Sequence, residues 1–269
     1  MSILAIVFAV LTVSLLGGIL GIGLAIAARF FGLKKDANLE RVTELLPQLN
    51  CGACGFAGCA AYASALIKGD VASNLCLPGG HELAQRLAQL LGQELSETIS
   101  RQVTQVHCRG GRDEAVYRFN YRGIRDCTAL YLLGGGNKEC RWGCLGQGSC
   151  IEVCPVEAIS FDGKGLVWVD KDKCIGCGKC IEVCPTKVMR FIPYTADYLV
   201  ACNSYDPGYK VRGYCKVGCT GCKICEKRSP EGGFSVVDNL STIDYKARGS
   251  RKEAAQKCPP KCIIENKLS

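Results

Sequence analysis

The residues of this chain best suited to chemistry are its cysteines, 21 of 269 positions. At that density a disulfide scaffold and a set of metal sites compete, and spacing decides between them. In Cys174-x2-Cys177-x2-Cys180-x3-Cys184-Pro185, three thiolates on a tight loop can cap three irons of one 4Fe–4S cubane. The fourth, too far along the chain to wrap back, reaches a second cluster. Cys150-Ile-Glu-Val-Cys154-Pro155 recurs thirty residues later as Cys180-Ile-Glu-Val-Cys184-Pro185, so the two half-repeats exchange their fourth ligands. One cluster is assigned to Cys174, Cys177, Cys180 and Cys154, and its partner to Cys140, Cys144, Cys150 and Cys184. In the partner set Gln147 stands at the usual middle position, and Cys140 is expected to replace it. Structural zinc competes for paired C-x-x-C motifs, but it wants two separate knuckles rather than this doubled run.

A third copy is broken in an informative way. Aligning Cys258-Pro259 with Cys184-Pro185 places Arg248, Arg251 and Ala254 where Cys174, Cys177 and Cys180 stand, and Ser229 falls on Cys154. One ligand set is lost as a unit, while Cys219, Cys222, Cys225 and Cys258 survive as a single-cluster set, with Cys215 an alternative to Cys222. A different spacing, Cys51-x2-Cys54-x4-Cys59-x16-Cys76, supplies a fourth set. Its Gly52, Gly55 and Gly58 let backbone N–H groups approach the cluster sulfurs. The cofactor count is therefore four 4Fe–4S clusters, on sixteen cysteines that are also the metal-binding residues. Cys108, Cys127, Cys202, Cys215 and Cys262 remain, read as buried small hydrophobes with a further metal site as the sharper alternative. His81 and His107 are read as structural or solvated.

These ligands need elements to hold them. Residues 1–28 carry no charged side chain, and residues 3–28 as a helix reach about 39 Å, against a hydrocarbon core of about 30 Å. A secretory signal competes, through the A-x-A at residues 25–27, but no Lys or Arg precedes the apolar run. Arg29, Lys34 and Lys35 follow, and the positive-inside rule then puts the remainder in the reducing cytoplasm, which disfavours disulfides. Gly17, Gly18, Gly21 and Gly23 form either a helix-packing face or ordinary membrane-helix glycines. Helices are expected at residues 38–49, 60–68 and 81–95, and strands at 103–106 and 116–121. The fold class is α+β. A single transmembrane anchor (1–33) is followed by a small helical four-cysteine 4Fe–4S domain (34–98) and a connecting segment (99–138). A two-cluster ferredoxin-like module (139–194) and a degenerate single-cluster one (195–269) complete the chain.

Charge and motifs narrow the function. Thirty-three Lys+Arg against 25 Asp+Glu give +8, which four clusters of roughly 2− each would nearly cancel. The basic balance is thus partly a counter-charge and not a sign of nucleic acid. Residues 209–269 hold 13 Lys+Arg against 6 Asp+Glu; this face either docks an acidic redox protein or is a solvated balance to the clusters. Gly134-Gly135-Gly136 lacks the features of a phosphate loop, and no nucleophile–base pair can be named. The cofactors carry the chemistry.

Taken together, these features resemble the B subunit of the Rnf ion-translocating oxidoreductase complex. The resemblance runs through the anchor, Cys51-Gly-Ala-Cys54-Gly-Phe-Ala-Gly-Cys59, Asp126-Cys127, Gly143-Cys144-Leu-Gly-Gln-Gly-Ser-Cys150 and Tyr198-Leu-Val-Ala-Cys202-Asn203. It implies an electron-transfer subunit, with no catalytic site of its own, in the bacterial cytoplasmic (inner) membrane. Electrons would come from soluble ferredoxin and pass to membrane-embedded and flavin-bearing subunits. NAD would be reduced elsewhere in the complex, with Na⁺ or H⁺ moved across the membrane. The lost cluster leaves open whether electrons enter at the last module or at the 140–184 pair. Two rival readings are a complex that reduces an iron–sulfur transcription factor and a membrane-tethered zinc module binding nucleic acid.

Overall fold

The computed structural model describes residues 3–31, 37–93 and 101–266. Lys34 and Lys35, the far end of the helix expected at 81–95, and the boundaries near 33 and 98 lie outside them. The chain divides into two units, Met1–Arg41 and Val42–Ser269. In the first, α1 (Ile3–Phe31) is an uninterrupted apolar helix with Arg29 in its last turn, where a cation complements the carbonyl end. Its stretch Val10–Arg29, 20 residues, is the one helix among the described residues long and apolar enough to cross a membrane.

A short helix, α2 (Ala37–Leu45), spans the division. It stops before residue 49 because Pro47 disfavours a helical conformation at Leu46. Val42 and Leu46 are buried. α3 (Cys59–Lys68) and α4 (Gly80–Leu91) end on Gly69 and Gly92 at φ 76° and 64°, the left-handed caps that glycine adopts without penalty. Tyr62, Ala63 and Leu66 of α3, and Leu83, Ala84, Leu87 and Ala88 of α4, are their buried residues.

The same plan then appears twice. First, β1 (Gln102–Val106) precedes α5 (Cys127–Tyr131) and α6 (Ser149–Glu152). The hairpin β2 (Ile159–Phe161) and β3 (Val167–Val169), α7 (Lys179–Glu182) and β4 (Met189–Pro193) follow. β1 pairs antiparallel with β4, with Val103 opposite Ile192 and Val106 opposite Met189. The strand at 103–106 therefore belongs to this sheet and is not a free connection. Second come β5 (Tyr198–Val200), α8 (Gly208–Tyr214), α9 (Ile224–Arg228), the hairpin β6 (Phe234–Val237) and β7 (Leu240–Ile243), α10 (Lys252–Lys257) and β8 (Ile263–Glu265). Here β5 pairs with β8 as β1 does with β4. Residues 116–121 form no strand: Val116 N–H donates to Tyr214 O, while Arg118 N–H donates to Asn137 O. Its backbone is split between two partners and builds no ladder.

The cysteine loops repeat in backbone as well as in sequence. Two residues after Cys144, Cys174 and Cys219 come Gly146, Gly176 and Gly221 at φ 69°, 67° and 64°, a conformation that side chains resist. A Cβ at Gly146 or Gly176 would also meet the carbonyl oxygen of Gly165 at 2.2 Å or of Gln102 at 2.6 Å. Glu157, Lys187 and Lys261, each three residues after a Cys of a Cys-Pro pair, share positive φ.

The broken copy is filled rather than hollow. Arg251, 7% exposed, donates from Nε to Gly232 O at 2.9 Å, from Nη2 to Ala247 O at 2.7 Å, and from Nη1 to Asp197 at 2.9 Å. Ser229 Oγ accepts from the Ala254 amide at 3.3 Å. Three of the four positions aligned with lost ligands thus sit buried in one hydrogen-bonded plug, while Arg248 is exposed. Truncating Arg251→Ala would strand buried carbonyls and Asp197, at a cost of about 2–4 kcal/mol. Thermal unfolding should show a lowered midpoint; an unchanged midpoint would show that the plug does not hold this region.

Candidate metal centres

The Cys51, Cys54, Cys59 and Cys76 thiols converge at the start of α3. Gly55 N–H donates to Gly52 O at 2.9 Å, and Asn50 Oδ1 accepts from the Cys59 amide at 2.8 Å. Tyr62, fully buried, ties in the Cys76 loop: its hydroxyl donates to Ala72 O at 2.9 Å and accepts from Leu75 N–H at 3.2 Å. Burial, with the charges of Cys54, Cys59 and Cys51 added, pushes the Cys76 thiol up to about 11. Nothing in the spacing of the cysteines singles out Tyr62.

Cys154, Cys174, Cys177 and Cys180 form a second group. Amides approach two of these sulfurs, Thr104 N at 3.5 Å from Cys174 Sγ and Ala158 N at 3.3 Å from Cys154 Sγ. Burial raises Cys180 to about 11, Thr104's hydroxyl opposes the shift, and the other three thiols add to it. That hydroxyl has no other partner among the described residues, as suits a donor facing a sulfur-rich group. Cys51 also raises Cys177 through its charge, so the first two groups are neighbours.

The third group differs from expectation. Burial pushes the Cys150 thiol well up, and Cys144, Cys127, Cys180 and Cys184 push it further. Cys127, one of the unassigned cysteines, therefore stands beside Cys144 and Cys150. The Cys127 amide donates to Ser149 Oγ at 2.8 Å, Ser149 donates to Asp126 Oδ2 at 2.9 Å, and Asp126 Oδ1 accepts from the Ala129 amide at 2.6 Å. One N-cap thus joins the start of α5, which carries Cys127, to the start of α6, which carries Cys150. Asp126–Cys127 was visible as a motif, but no local spacing tied it to Cys144.

Cys140, placed with Cys144, Cys150 and Cys184 by spacing, instead faces Cys108 and Cys215, whose charges help burial raise it to about 11. The reason lies in bonds to a distant segment. Glu139 N–H donates to Val116 O at 3.0 Å, and Lys138 Nζ to Gly110 O at 2.7 Å. The 138–140 stretch is thereby pinned to residues 110–116.

Cys219, Cys222, Cys225 and Cys258 line a cavity of ≈ 310 Å³ with Cys262. Cys262 Sγ is 3.6 Å from Cys258 Sγ. Hydrogen bonding from Cys262 draws Cys219 and Cys258 down to about 6, and Cys262 itself is driven up as the shared donor. Cys225 Sγ meets Ser241 Oγ at 3.2 Å. Among the described residues no three His, Cys, Asp or Glu groups close tightly enough on a point to hold a single metal ion. Grouped thiols with close glycines and amide-to-sulfur contacts are a donor chemistry that fits a cluster. Of the two histidines, His107 is buried and its Nδ1 pairs with Val200 O at 2.8 Å, while His81 is exposed and pairs with Gln85.

Residues 46–78 match the family described as "Putative Fe-S cluster", and residues 141–191 match the 4Fe-4S dicluster domain. Over longer stretches the chain is 38% identical to the B subunit of the ion-translocating oxidoreductase complex of Methanosarcina acetivorans, covering 92% of this chain and 94% of that one. It is 39% identical to the B subunit of the proton-translocating ferredoxin:NAD(+) oxidoreductase complex of Clostridium ljungdahlii, covering 96% and 92%. Identity to the Na(+)-translocating counterpart of Acetobacterium woodii is 38%, covering 92% and 74%. Thiol cradles at the two matched segments, and likeness along nearly the whole length, lead to one conclusion: this chain belongs to the family of Rnf-type ion-translocating oxidoreductase complex B subunits, iron–sulfur proteins of electron transport.

Proposed function

We propose that this protein is a membrane-anchored relay that receives electrons from reduced soluble ferredoxin and passes them singly toward flavin-bearing and membrane subunits of an ion pump. Its 4Fe–4S clusters, when bound, supply one-electron redox chemistry; the protein supplies position, potential and docking. Four ligand sets are assigned: Cys51, Cys54, Cys59 and Cys76; Cys154, Cys174, Cys177 and Cys180; Cys127, Cys144, Cys150 and Cys184; and Cys219, Cys222, Cys225 and Cys258. Cys127 enters in place of Cys140 because it is the cysteine that stands beside Cys144 and Cys150. The reading rests above all on the succession of adjacent thiol groups, Cys51 beside Cys177 and Cys180 beside Cys150, which is what stepwise electron transfer requires.

The anchor, the Lys and Arg that follow it, and free thiols throughout support a cytoplasmic face for the cluster-bearing part. An open cleft of ≈ 1320 Å³ beside Pro185 carries Arg141, Lys187 and Arg190, and offers an acidic carrier a basic approach to the Cys184 loop. The name of one relative carries a proton and that of another Na⁺; either ion satisfies the proposal.

Three outcomes are expected. Inverted membrane vesicles should take up ions when supplied with reduced ferredoxin and NAD, and absence of uptake would sink the pump role. Cys127→Ala should remove about four irons per chain; unchanged iron would return Cys140 to the set. Cys258→Ala should likewise remove about four while leaving the reduced-state spectrum of the Cys154–Cys184 pair intact.

A further inference from the structure

Three of the unassigned cysteines meet the displaced Cys140 around one cavity. It measures ≈ 380 Å³ and is lined by Cys108, Cys140, Cys202 and Cys215, with Gly110, Gly143, Gly218 and Lys138. The ferredoxin-type set at Cys219 lines a cavity of similar size, ≈ 310 Å³. Glycines press the backbone onto the thiols. The Cβ position of Gly110 is 3.2 Å from Cys215 Sγ and 4.0 Å from Cys108 Sγ; that of Gly143 is 3.5 Å from Cys108 Sγ and 3.7 Å from Cys140 Sγ. Cys108 therefore sits between Cys140 and Cys215, and Cys202 also feels its charge.

Local geometry repeats that of the assigned ligands. Among the assigned ligands, Cys154 Sγ accepts from the Ala158 amide at 3.3 Å and Cys174 Sγ from the Thr104 amide at 3.5 Å. Cys202 Sγ also accepts from the Cys219 amide at 3.2 Å. Such amide-to-sulfur contacts are the kind that surround cluster sulfurs.

A charge points the same way. Lys138 lines the cavity and is 1% exposed, its Nζ donating to Gly110 O and lying 5.3 Å from the Tyr117 ring centre. No carboxylate pairs with it among the described residues. A buried ammonium without an acid partner is costly, and a group of four thiolates around iron supplies the missing negative charge.

We propose that Cys108, Cys140, Cys202 and Cys215 ligate a further 4Fe–4S cluster, which joins the two halves of the relay. This rests on the reading that the chain carries iron–sulfur clusters. The site falls between two assigned sets: Cys108 raises Cys144 by its charge, and Cys202 touches the Cys219 amide. Each transfer across it moves one electron, the donor cluster oxidised by one and the acceptor reduced by one, with no proton or atom displaced. Of the 21 cysteines, Cys262 alone is then left without a ligand role.

The test is iron, sulfide and zinc analysis of the anaerobically reconstituted full chain, with electron paramagnetic resonance of the dithionite-reduced protein. Wild type should hold about 20 irons, and Cys215→Ala and Cys202→Ala each about 16. The reduced spectrum of each ligand variant should lose one cluster's spins while those of the Cys154–Cys184 pair remain. Wild type saturating near 16 irons, with Cys215→Ala unchanged, would overturn the fifth site and leave the four-cluster reading standing. One zinc beside about 16 irons would overturn it too, and a wild type without iron would sink the wider reading. If both ligand variants fail to fold, the wild-type count still decides between about 20 and about 16.

Discussion

Buried sulfurs packed beside sulfurs govern this protein. Burial pushes the Cys76, Cys140 and Cys180 thiols up to about 11 and Cys144 and Cys202 to about 12, and neighbouring thiols push each of them further. These sulfurs share core clusters with aliphatic side chains, Cys144, Cys150, Cys174 and Cys180 beside Val103, Leu166 and Ile192. The loops that carry them are short helices and turns, and much of their order comes from glycine backbones and amides directed at sulfur. Iron reverses the balance, because ligation removes the protons and neutralises much of the negative charge. The strand pairs β1–β4 and β5–β8 serve as the frame on which the loops are hung.

Spacing revealed the parts of this design that are local in the chain. The x2-x2 runs at 174–180 and 219–225, the Cys-Pro pairs and the Cys51–Cys76 group all suggested ligand sets, because these loops are short in the chain. Alignment likewise pointed to Ser229, Arg251 and Ala254, which lie together in the fold. What spacing could not reveal was set by contacts far apart in sequence. Cys127 reaches Cys150 through the Asp126–Ser149 cap, across twenty-three residues. Cys140 is only four residues from Cys144, yet bonds to the 110–116 segment pin its stretch of chain. Chain proximity pointed to Cys144, while tertiary hydrogen bonds leave Cys140 beside Cys108 and Cys215.

The placement of Cys140 changes how the relay is connected. With four sets alone, the cavity lined by Cys108, Cys140, Cys202 and Cys215 holds none of the relay's ligands. With the Cys108–Cys215 set occupied, neighbouring thiols link the sets in order: Cys51 with Cys177, Cys180 with Cys150, Cys144 with Cys108, and Cys202 with Cys219. The lost cluster of the last module then lies off this line. Its space holds a guanidinium bonded to Asp197 and to backbone carbonyls, a positive charge where the ancestral repeat would have carried a negative cluster. The basic balance of the chain, +8 before any cluster is counted, fits a protein that must offset roughly 2− at each centre.

The continuity of that line is the central claim, and the positions of the irons test it most directly. Anomalous scattering at the iron edge, from crystals of the anaerobically prepared protein or its complex, locates each centre without reference to spectra. Five compact iron peaks are predicted, one of them enclosed by Cys108, Cys140, Cys202 and Cys215. Iron peaks at the other four sets with none in that cavity, or a peak ligated by Cys140 together with Cys144 and Cys150, would contradict the account.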